Sequence, residues 1–361
     1  MLSFLLALAC AATIGFAAHR ASLCNVRAVA EVLTQRSAHM LRSLLHAALW
    51  ACLVGGLWTV MAGQPLVPAR VPAVLTWSVI GGLLFGIGAA VNGGCSLSTL
   101  HRLADGEVGM LATLAGFVVG VSLDLALAPW AGSARPLEWV ASTAIWSRWP
   151  SAAPWVLAAL VIWAASQALA LKSAAQSASP RTLRHTLLAP TYSLAVAAAL
   201  MGVSAGVLYA AQGAWSYTNH LRTSVLHGWT GSAMPSASHS LLVFALLVGM
   251  LLSARQRRSL AWRPPQRAGV WLRHLGGGVL MGAGAAMVPG GNDTLLLNAL
   301  PSLALQAVVA YASLLAGIAM VLWAMRRARV SMPGVACSPA GCREVSPPTE
   351  RSRHEEAAHV P

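Results

Sequence analysis

Nine long apolar stretches constrain the fold of this chain more than any other feature of its sequence. Charged residues make up only 9% of the 361 residues and hydrophobic residues 57%, whereas an ordinary soluble domain carries about 25% charged residues. Each stretch is long enough to cross a hydrocarbon core about 30 Å thick as a helix. We therefore predict an all-α polytopic membrane protein. The expected spans are roughly residues 1–19, 41–62, 73–92, 108–129, 154–171, 187–210, 238–254, 271–289 and 302–325.

The basic residues indicate how these spans are oriented. Lys and Arg number 24 against 10 Asp and Glu, which gives a formal net charge of +14. They lie at the edges of the apolar stretches and form no continuous basic domain, so we expect no nucleic-acid partner. Positive charge of this kind is typical of cytoplasmic loops. With Arg36, Lys172, the basic run 255–273 and Arg326 inside, nine spans place the N-terminus outside and the C-terminus in the cytoplasm.

Four shorter polar segments lie between the expected spans. Broken backbone at membrane depth is tolerated only where protein or water surrounds it, because an unsatisfied peptide group in lipid costs several kcal/mol. We therefore expect four re-entrant segments that face the protein interior. They cover about residues 20–36, 93–105, 212–230 and 290–300.

An internal repeat relates the two halves of the chain. The stretch GGLLFGIGAAVNGGCSLSTL, which begins at Gly81, matches GGVLMGAGAAMVPGGNDTLLL, which begins at Gly277, with one inserted residue. A weaker match places Cys24 opposite Tyr217. Because an odd number of spans separates the equivalent elements, the two four-span halves should have opposite orientations around a fifth span.

The repeat also predicts how the chain is divided. We expect a first inverted repeat over residues 1–130 and a second over 186–328, with an external loop, the fifth span and a cytoplasmic linker over 131–185. The remaining residues, 329–361, are rich in Pro, Ser, Glu and Arg and have no long apolar run. We expect them to form a disordered cytoplasmic tail.

A glycine pair and a cysteine interrupt the third apolar stretch. Gly93 and Gly94 permit a sharp turn, after which Cys95 and Ser96 open a short helix whose free N–H groups can bind an anion. We expect the polarizable thiol of Cys95 to contact a substrate, and a cysteine that only fills space is the alternative. Cys24 follows the first span in another polar interruption, so its thiol could face the same cavity.

The second half repeats this break without a thiol. Gly290 and Gly291 are followed by Asn292 and Asp293, both of which are also good helix N-caps, so a purely structural role is the alternative. Tyr217, in the remaining polar segment, could line an external vestibule or anchor the chain at the membrane interface. We place Gly290, Gly291, Asn292 and Tyr217 on the predicted substrate pathway.

The other four cysteines are expected to have no part in this pathway. Cys10 and Cys52 lie within ordinary spans and should fill space. Cys337 and Cys342 form the motif CSPAGC, which could be a redox pair or a metal clip, but a flexible tail favours neither. The sequence has no metal-ligand spacing and no recognisable catalytic motif, so we expect no metal, no cofactor and no enzymatic activity.

Around Cys24, Cys95 and Asn292 the sequence resembles the YeeE/YedE family of bacterial sulphur-compound transporters, over roughly residues 10–325. The resemblance implies an inner-membrane protein of two inverted halves, in which cysteine thiols relay thiosulfate through S–H···S hydrogen bonds. Cys24 and Cys95 match the first-half cysteines of the family, whereas Asn292 stands where a third cysteine is expected. The family resemblance lies in the stretches GFAAHRASLCNVRAVAE, GIGAAVNGGCSLSTLHRLADGEVGMLATLAGFVVG and GAGAAMVPGGNDTLLL.

The sequence therefore predicts a transporter that takes up a small sulphur-containing anion such as thiosulfate. A transporter of another small solute is one alternative. A second alternative is a membrane anchor for a soluble cytoplasmic sulphur-carrier (TusA-like) protein, which the basic loop RQRRSLAWRPPQR or the tail could bind.

Overall fold

The computed structural model describes residues 2–62, 70–72, 75–127, 139–141, 151–177, 189, 191–288, 290–330, 335–338 and 341–344. These residues are mostly helical, as the sequence predicts. The helices are α1 (Leu2–Ala21), α2 (Asn25–Gln35), α3 (His39–Ala62), α4 (Leu75–Asn92), α5 (Ser96–Ala104), α6 (Met110–Leu127), α7 (Ala153–Ser177), α8 (Leu194–Gln212), α9 (Tyr217–Thr230), α10 (Ala237–Arg257), α11 (Ala268–Met287), α12 (Asn292–Thr294, continued by a π-helical turn, Leu295–Ala299) and α13 (Leu305–Arg327).

Eight helical stretches among the described residues are long and apolar enough to cross a membrane. The protein is therefore a multi-span membrane protein. Of the nine predicted spans, α11 is the one that is not among the eight; it has 20 residues, and Arg273, His274 and its glycines lower its mean hydropathy. This helix is nevertheless packed between α4 and α6 in the interior.

The four polar segments of the sequence fold as short helices that directly follow longer ones. α2 follows α1, α5 follows α4, α9 follows α8, and α12 with its π-helical turn follows α11. At the first two breaks the chain closes the preceding helix with backbone hydrogen bonds, from Leu23 N–H to Ala18 O (3.1 Å) and from Gly94 N–H to Ala89 O (3.0 Å). Such closure satisfies helix-end carbonyl groups within the protein. That these segments re-enter from the membrane surfaces stays a prediction.

Glycines allow the longer helices to approach one another closely. A Cβ atom at Gly88 of α4 would lie 2.6 Å from the carbonyl oxygen of Gly277 of α11, and one at Gly284 of α11 would lie 2.6 Å from that of Gly81. Small residues at such crossings are typical of helix packing in membranes. The α4–α11 crossing therefore fixes the two helices that lead into Cys95 and Asn292.

Two short antiparallel strand pairs accompany the helices. β1 (Arg70–Pro72) pairs with β2 (Trp139–Ala141), and β3 (Val335–Ser338) pairs with β4 (Gly341–Glu344). The second pair lies in the tail, so the predicted disorder does not hold for these residues. Cys337 is disulfide-bonded and lies opposite Cys342 in the strand register.

Candidate functional site

The two first-half thiols that the sequence singles out lie side by side in the protein interior. Cys24 is 0% exposed and Cys95 is 1% exposed. Both are free thiols, and their side chains lie close enough to interact with each other. Cys24 directly precedes α2 and Cys95 directly precedes α5, so two helix N-termini converge on the sulphur atoms. The positive ends of both helix dipoles thus meet at the thiol pair.

Backbone N–H groups lie near the two sulphur atoms. Those of Asn25 and Ser98 are close to the Cys95 sulphur, and those of Arg27 and Cys95 are close to the Cys24 sulphur. Neither thiol makes a regular N-cap hydrogen bond to its own helix, since sulphur is a weak acceptor. An anionic oxygen or sulphur atom would accept from these N–H groups more strongly.

Gly93 and Gly94 form the break that presents Cys95, and they have different roles. Gly93 has a φ of +78°, which favours glycine. At Gly94 the constraint is space, because a Cβ atom there would lie 2.6 Å from the Ser98 hydroxyl oxygen. That hydroxyl is buried and has no hydrogen-bond partner among the described residues. The predicted break is therefore present, and Gly93 is the position whose positive φ favours glycine.

Asn292, in the second half of the chain, contacts the thiol site at the start of α5. The side-chain oxygen of Asn292 accepts hydrogen bonds from the backbone N–H of Ser96 (3.1 Å) and from the Ser96 hydroxyl. Asn292 therefore caps α5, a helix of the first half. Its own short helix has Gly291 at the N-cap position. A capping role was the expected alternative for Asn292, but the helix it caps belongs to the other half of the chain.

Tyr217, Thr218 and Asp293 extend this contact into a buried network. The carboxylate of Asp293 accepts hydrogen bonds from the Thr218 hydroxyl, from the Thr218 backbone N–H (3.2 Å) and from the Ser96 hydroxyl (3.3 Å). The Tyr217 side chain lies close to Ser96. Thr218 also accepts from the Gly291 N–H (2.7 Å). The network thus joins α5, α9 and α12.

Gly290 shapes the second break. Its φ of +133° favours glycine, and a Cβ atom there would lie 2.2 Å from the Thr294 hydroxyl oxygen. That hydroxyl is hydrogen-bonded to Ser216 at the start of α9. The second break therefore needs a glycine for both its backbone conformation and its lack of a side chain.

A small cavity adjoins the network. Among its lining residues are Ser216, Tyr217 and Asp293, and most of the others are apolar. Its volume is about 20 Å³, which is room for about one water molecule. An anion of several heavy atoms does not fit, so the arrangement is an occluded one.

Two polar residues of the site were missed in the sequence. The hydroxyl of Tyr311, on α13, donates a hydrogen bond to the side-chain oxygen of Asn25 (2.8 Å). A single tyrosine in an apolar span gives no local signal, so only the fold reveals this contact. Thr218 did have a signal, because it aligns with Asn25 in the weaker repeat match that sets Cys24 against Tyr217.

A second polar cluster lies where α1 and α5 end. His19 bonds Asp105 through Nε2 (3.1 Å) and Ser253 through Nδ1 (2.8 Å). Burial raises the pKa of the Asp105 carboxyl, but hydrogen bonds with His19 and Ser259 outweigh this and bring the pKa to about 2. Asp105 is therefore ionised at neutral pH. The nearby His101 has a buried Nε2 atom without a hydrogen-bond partner among the described residues.

The fold and the site define a multi-span helical membrane protein with two buried thiols at converging helix N-termini. The sequence model of the sulphur transport family matches residues 20–320, so the chain belongs to this family. The protein is similar to the thiosulfate transporter TsuA of Escherichia coli (strain K12), with 26% identity over 307 residues, which cover 78% of this chain and 83% of that protein. The family resemblance inferred from the sequence is thereby confirmed.

Proposed function

We propose that this protein takes up thiosulfate, or a closely related sulphur-containing anion, across the bacterial inner membrane. The observation that carries the proposal is the pair of buried thiols, Cys24 and Cys95, between the N-termini of α2 and α5. Thiol S–H groups can donate to an anionic sulphur or oxygen atom, and the surrounding N–H groups stabilise its charge. Thiosulfate is favoured because the similar Escherichia coli protein is named as its transporter.

The proposed path runs from the Tyr217 cavity past Asn292 and Ser96 to Cys95 and then Cys24. In the first step the anion takes over the N–H and hydroxyl of Ser96, which Asn292 occupies in the occluded arrangement. The Asn292 amide carries donors as well as an acceptor, so it can turn and bind the anion that displaces it. The two thiols then donate in succession. No covalent bond is formed or broken along this path.

We also propose that the two halves form an inverted repeat and that the four short helices are re-entrant. The packing supports this, because α4 packs on α13 as α11 packs on α6, and α1 packs on α10 as α8 packs on α3. These pairs are equivalent under the repeat. With the N-terminus outside, α2 and α5 enter from the cytoplasm and α9 and α12 from outside.

The orientation can be measured directly. Green fluorescent protein fused after residue 361 should fluoresce, because it folds in the cytoplasm, and alkaline phosphatase at the same position should be inactive. The test is a sharp one because Cys337 is disulfide-bonded, and disulfides are rare in the reducing cytoplasm. An active phosphatase fusion would reverse the proposed orientation.

The transport proposal is tested with the purified protein in liposomes. Labelled thiosulfate should enter these liposomes faster than protein-free ones, and unlabelled thiosulfate should compete better than sulfate. Uptake that another solute blocks more strongly would identify a transporter of that solute. An absence of uptake in liposomes that contain folded protein would favour a membrane anchor for a soluble sulphur-carrier protein.

Exchange of Asn292 tests the first step of the path. Asn292→Asp should slow thiosulfate uptake about tenfold, because a carboxylate holds Ser96 by charge-assisted hydrogen bonds and repels the anion together with Asp293. Asn292→Cys should keep or raise uptake, because a weakly accepting thiol releases Ser96. Asn219→Asp is a matched control, since the Asn219 side chain accepts from Arg222 (3.2 Å) and not from Ser96. Unchanged uptake in Asn292→Asp at equal expression would remove Asn292 from the path.

A further inference from the structure

A polar cleft opens between α3, α7 and the start of α8, and none of its lining residues belongs to the thiol site. Its volume is about 280 Å³. Three of the lining residues are basic or carry an imidazole, and none is acidic. The lining residues are His39, Arg42, Ser43, His46, Gln167, Leu194 and Ala195.

The electrostatics of the cleft favour an anionic group. Arg42 supplies a permanent positive charge, and the imidazoles of His39 and His46 supply N–H donors. The acidic side chain nearest in sequence is Glu31, which is 0% exposed and accepts hydrogen bonds from backbone N–H groups at the start of α3, including that of His39 (2.8 Å). The Glu31 carboxylate therefore caps the start of α3 and does not line the cleft.

The surroundings of the cleft are those of a membrane surface. Leu45 and Leu169, which neighbour lining residues in sequence, are 40% and 67% exposed. The ring of His46 lies edge-on to Trp163 at a centroid distance of 5.3 Å, and Trp163 contacts Trp50 at 5.4 Å. Tryptophans of this kind are enriched where hydrocarbon meets headgroups. The polar cleft thus opens beside an apolar, lipid-facing surface.

An apolar crevice of about 660 Å³ lies further along the same α3–α7 interface. Its lining begins at Gly56 on α3 and includes Pro154 and Leu157 on α7. The ten residues from His46 to Gly56 rise about 15 Å along the helix. This is about half the thickness of the hydrocarbon core, the depth to which one leaflet's acyl chains reach. The two clefts are therefore spaced to take the two ends of a single lipid.

We propose that the polar cleft binds the phosphate group of an anionic phospholipid, whose acyl chain lies along α3 and α7 toward the apolar crevice. Basic pockets between spanning helices at a membrane surface bind anionic headgroups. α7 packs little against the other helices, since only 11% of its apolar stretch is buried. The lipid would therefore hold the predicted fifth span against the rest of the protein.

A lipid titration tests the proposal. Delipidated protein in a neutral detergent is titrated with phosphatidylglycerol, phosphatidylcholine or inorganic phosphate while tryptophan fluorescence reports its unfolding temperature. Phosphatidylglycerol should raise the unfolding temperature at the lowest mole fraction, and inorganic phosphate should have little effect. Arg42→Gln should raise the half-saturating mole fraction of phosphatidylglycerol about fivefold. Arg255→Gln, an exposed arginine at the end of α10, is the matched control and should not.

Three results would overturn the proposal. Equal stabilisation by phosphatidylcholine would show that the cleft does not select an anionic headgroup. Equal stabilisation by inorganic phosphate would show a site for a free anion in place of a lipid. An unchanged phosphatidylglycerol midpoint in Arg42→Gln would show that the lipid binds elsewhere. Should that variant fail to fold, His46→Gln provides the same comparison.

Discussion

Cys95→Ala is expected to reduce thiosulfate uptake about a hundredfold while leaving the protein folded. The exchange removes one buried sulphur atom, so packing changes little. It also removes the S–H group that would donate to the anion, and hydrogen bonds to charged groups contribute about 1.5–3 kcal/mol each. Uptake of labelled thiosulfate is measured in cells that have no other importer of this anion, at matched protein levels in the membrane.

Cys52→Ala provides the control for this experiment. Cys52 is also buried but packs beside Leu53 and Leu160 in a separate apolar cluster. The same loss of a thiol at Cys52 should leave uptake near the wild-type rate. If Cys95→Ala retained more than half of the wild-type uptake, the anion would not depend on this thiol.

Gly284→Leu is expected to prevent folding, because the added side chain would clash with backbone atoms, which cannot move aside as a flexible side chain can. A Cβ atom at Gly284 would lie 2.6 Å from the Gly81 carbonyl oxygen and 2.6 Å from the Phe85 backbone nitrogen. Overpacking a core typically costs about 1–3 kcal/mol, and here the two helices would also have to separate. The measurement is the yield of monodisperse protein in size-exclusion chromatography.

Gly276→Leu tests the same exchange on the same helix without a clash. A Cβ atom at Gly276 meets no atom within 4 Å, so normal yield and an unchanged unfolding temperature are expected. Equal damage from both variants would mean that the bulk of an added leucine anywhere on α11, and not the close α4–α11 crossing, determines the effect.

The sequence predicts the helices well, because spanning a membrane imposes a length and a polarity that can be recognised locally. α11 gives the weakest of these signals, since Arg273 and His274 make it more polar than the other spans although it is packed between other helices. The breaks are also predictable, because Gly93 and Gly290 both have positive φ angles. The hairpin in the tail was missed because four-residue strands give almost no signal in a sequence.

Contacts within the site are harder to predict, because they join residues that are far apart in sequence. Nothing in the sequence near Asn292 indicates that its side chain caps the helix that begins at Ser96. The link between Tyr311 and Asn25 is equally remote. The internal repeat was the one long-range signal, since it aligned Asn292 with Cys95. It placed the two breaks in register but could not show which side chains meet between them.

The Asn292 side chain acts as a covalently tethered ligand of the Ser96 N–H and hydroxyl groups. Because it is tethered, it competes for the Ser96 donors at a high effective concentration. A neutral solute gains too little from two hydrogen bonds to displace it, whereas an anion gains the added attraction of a helix N-terminus. A carrier built this way stays closed to water and neutral solutes when its substrate is absent. On the proposed path, selectivity depends as much on the residue to be displaced as on the thiols that follow.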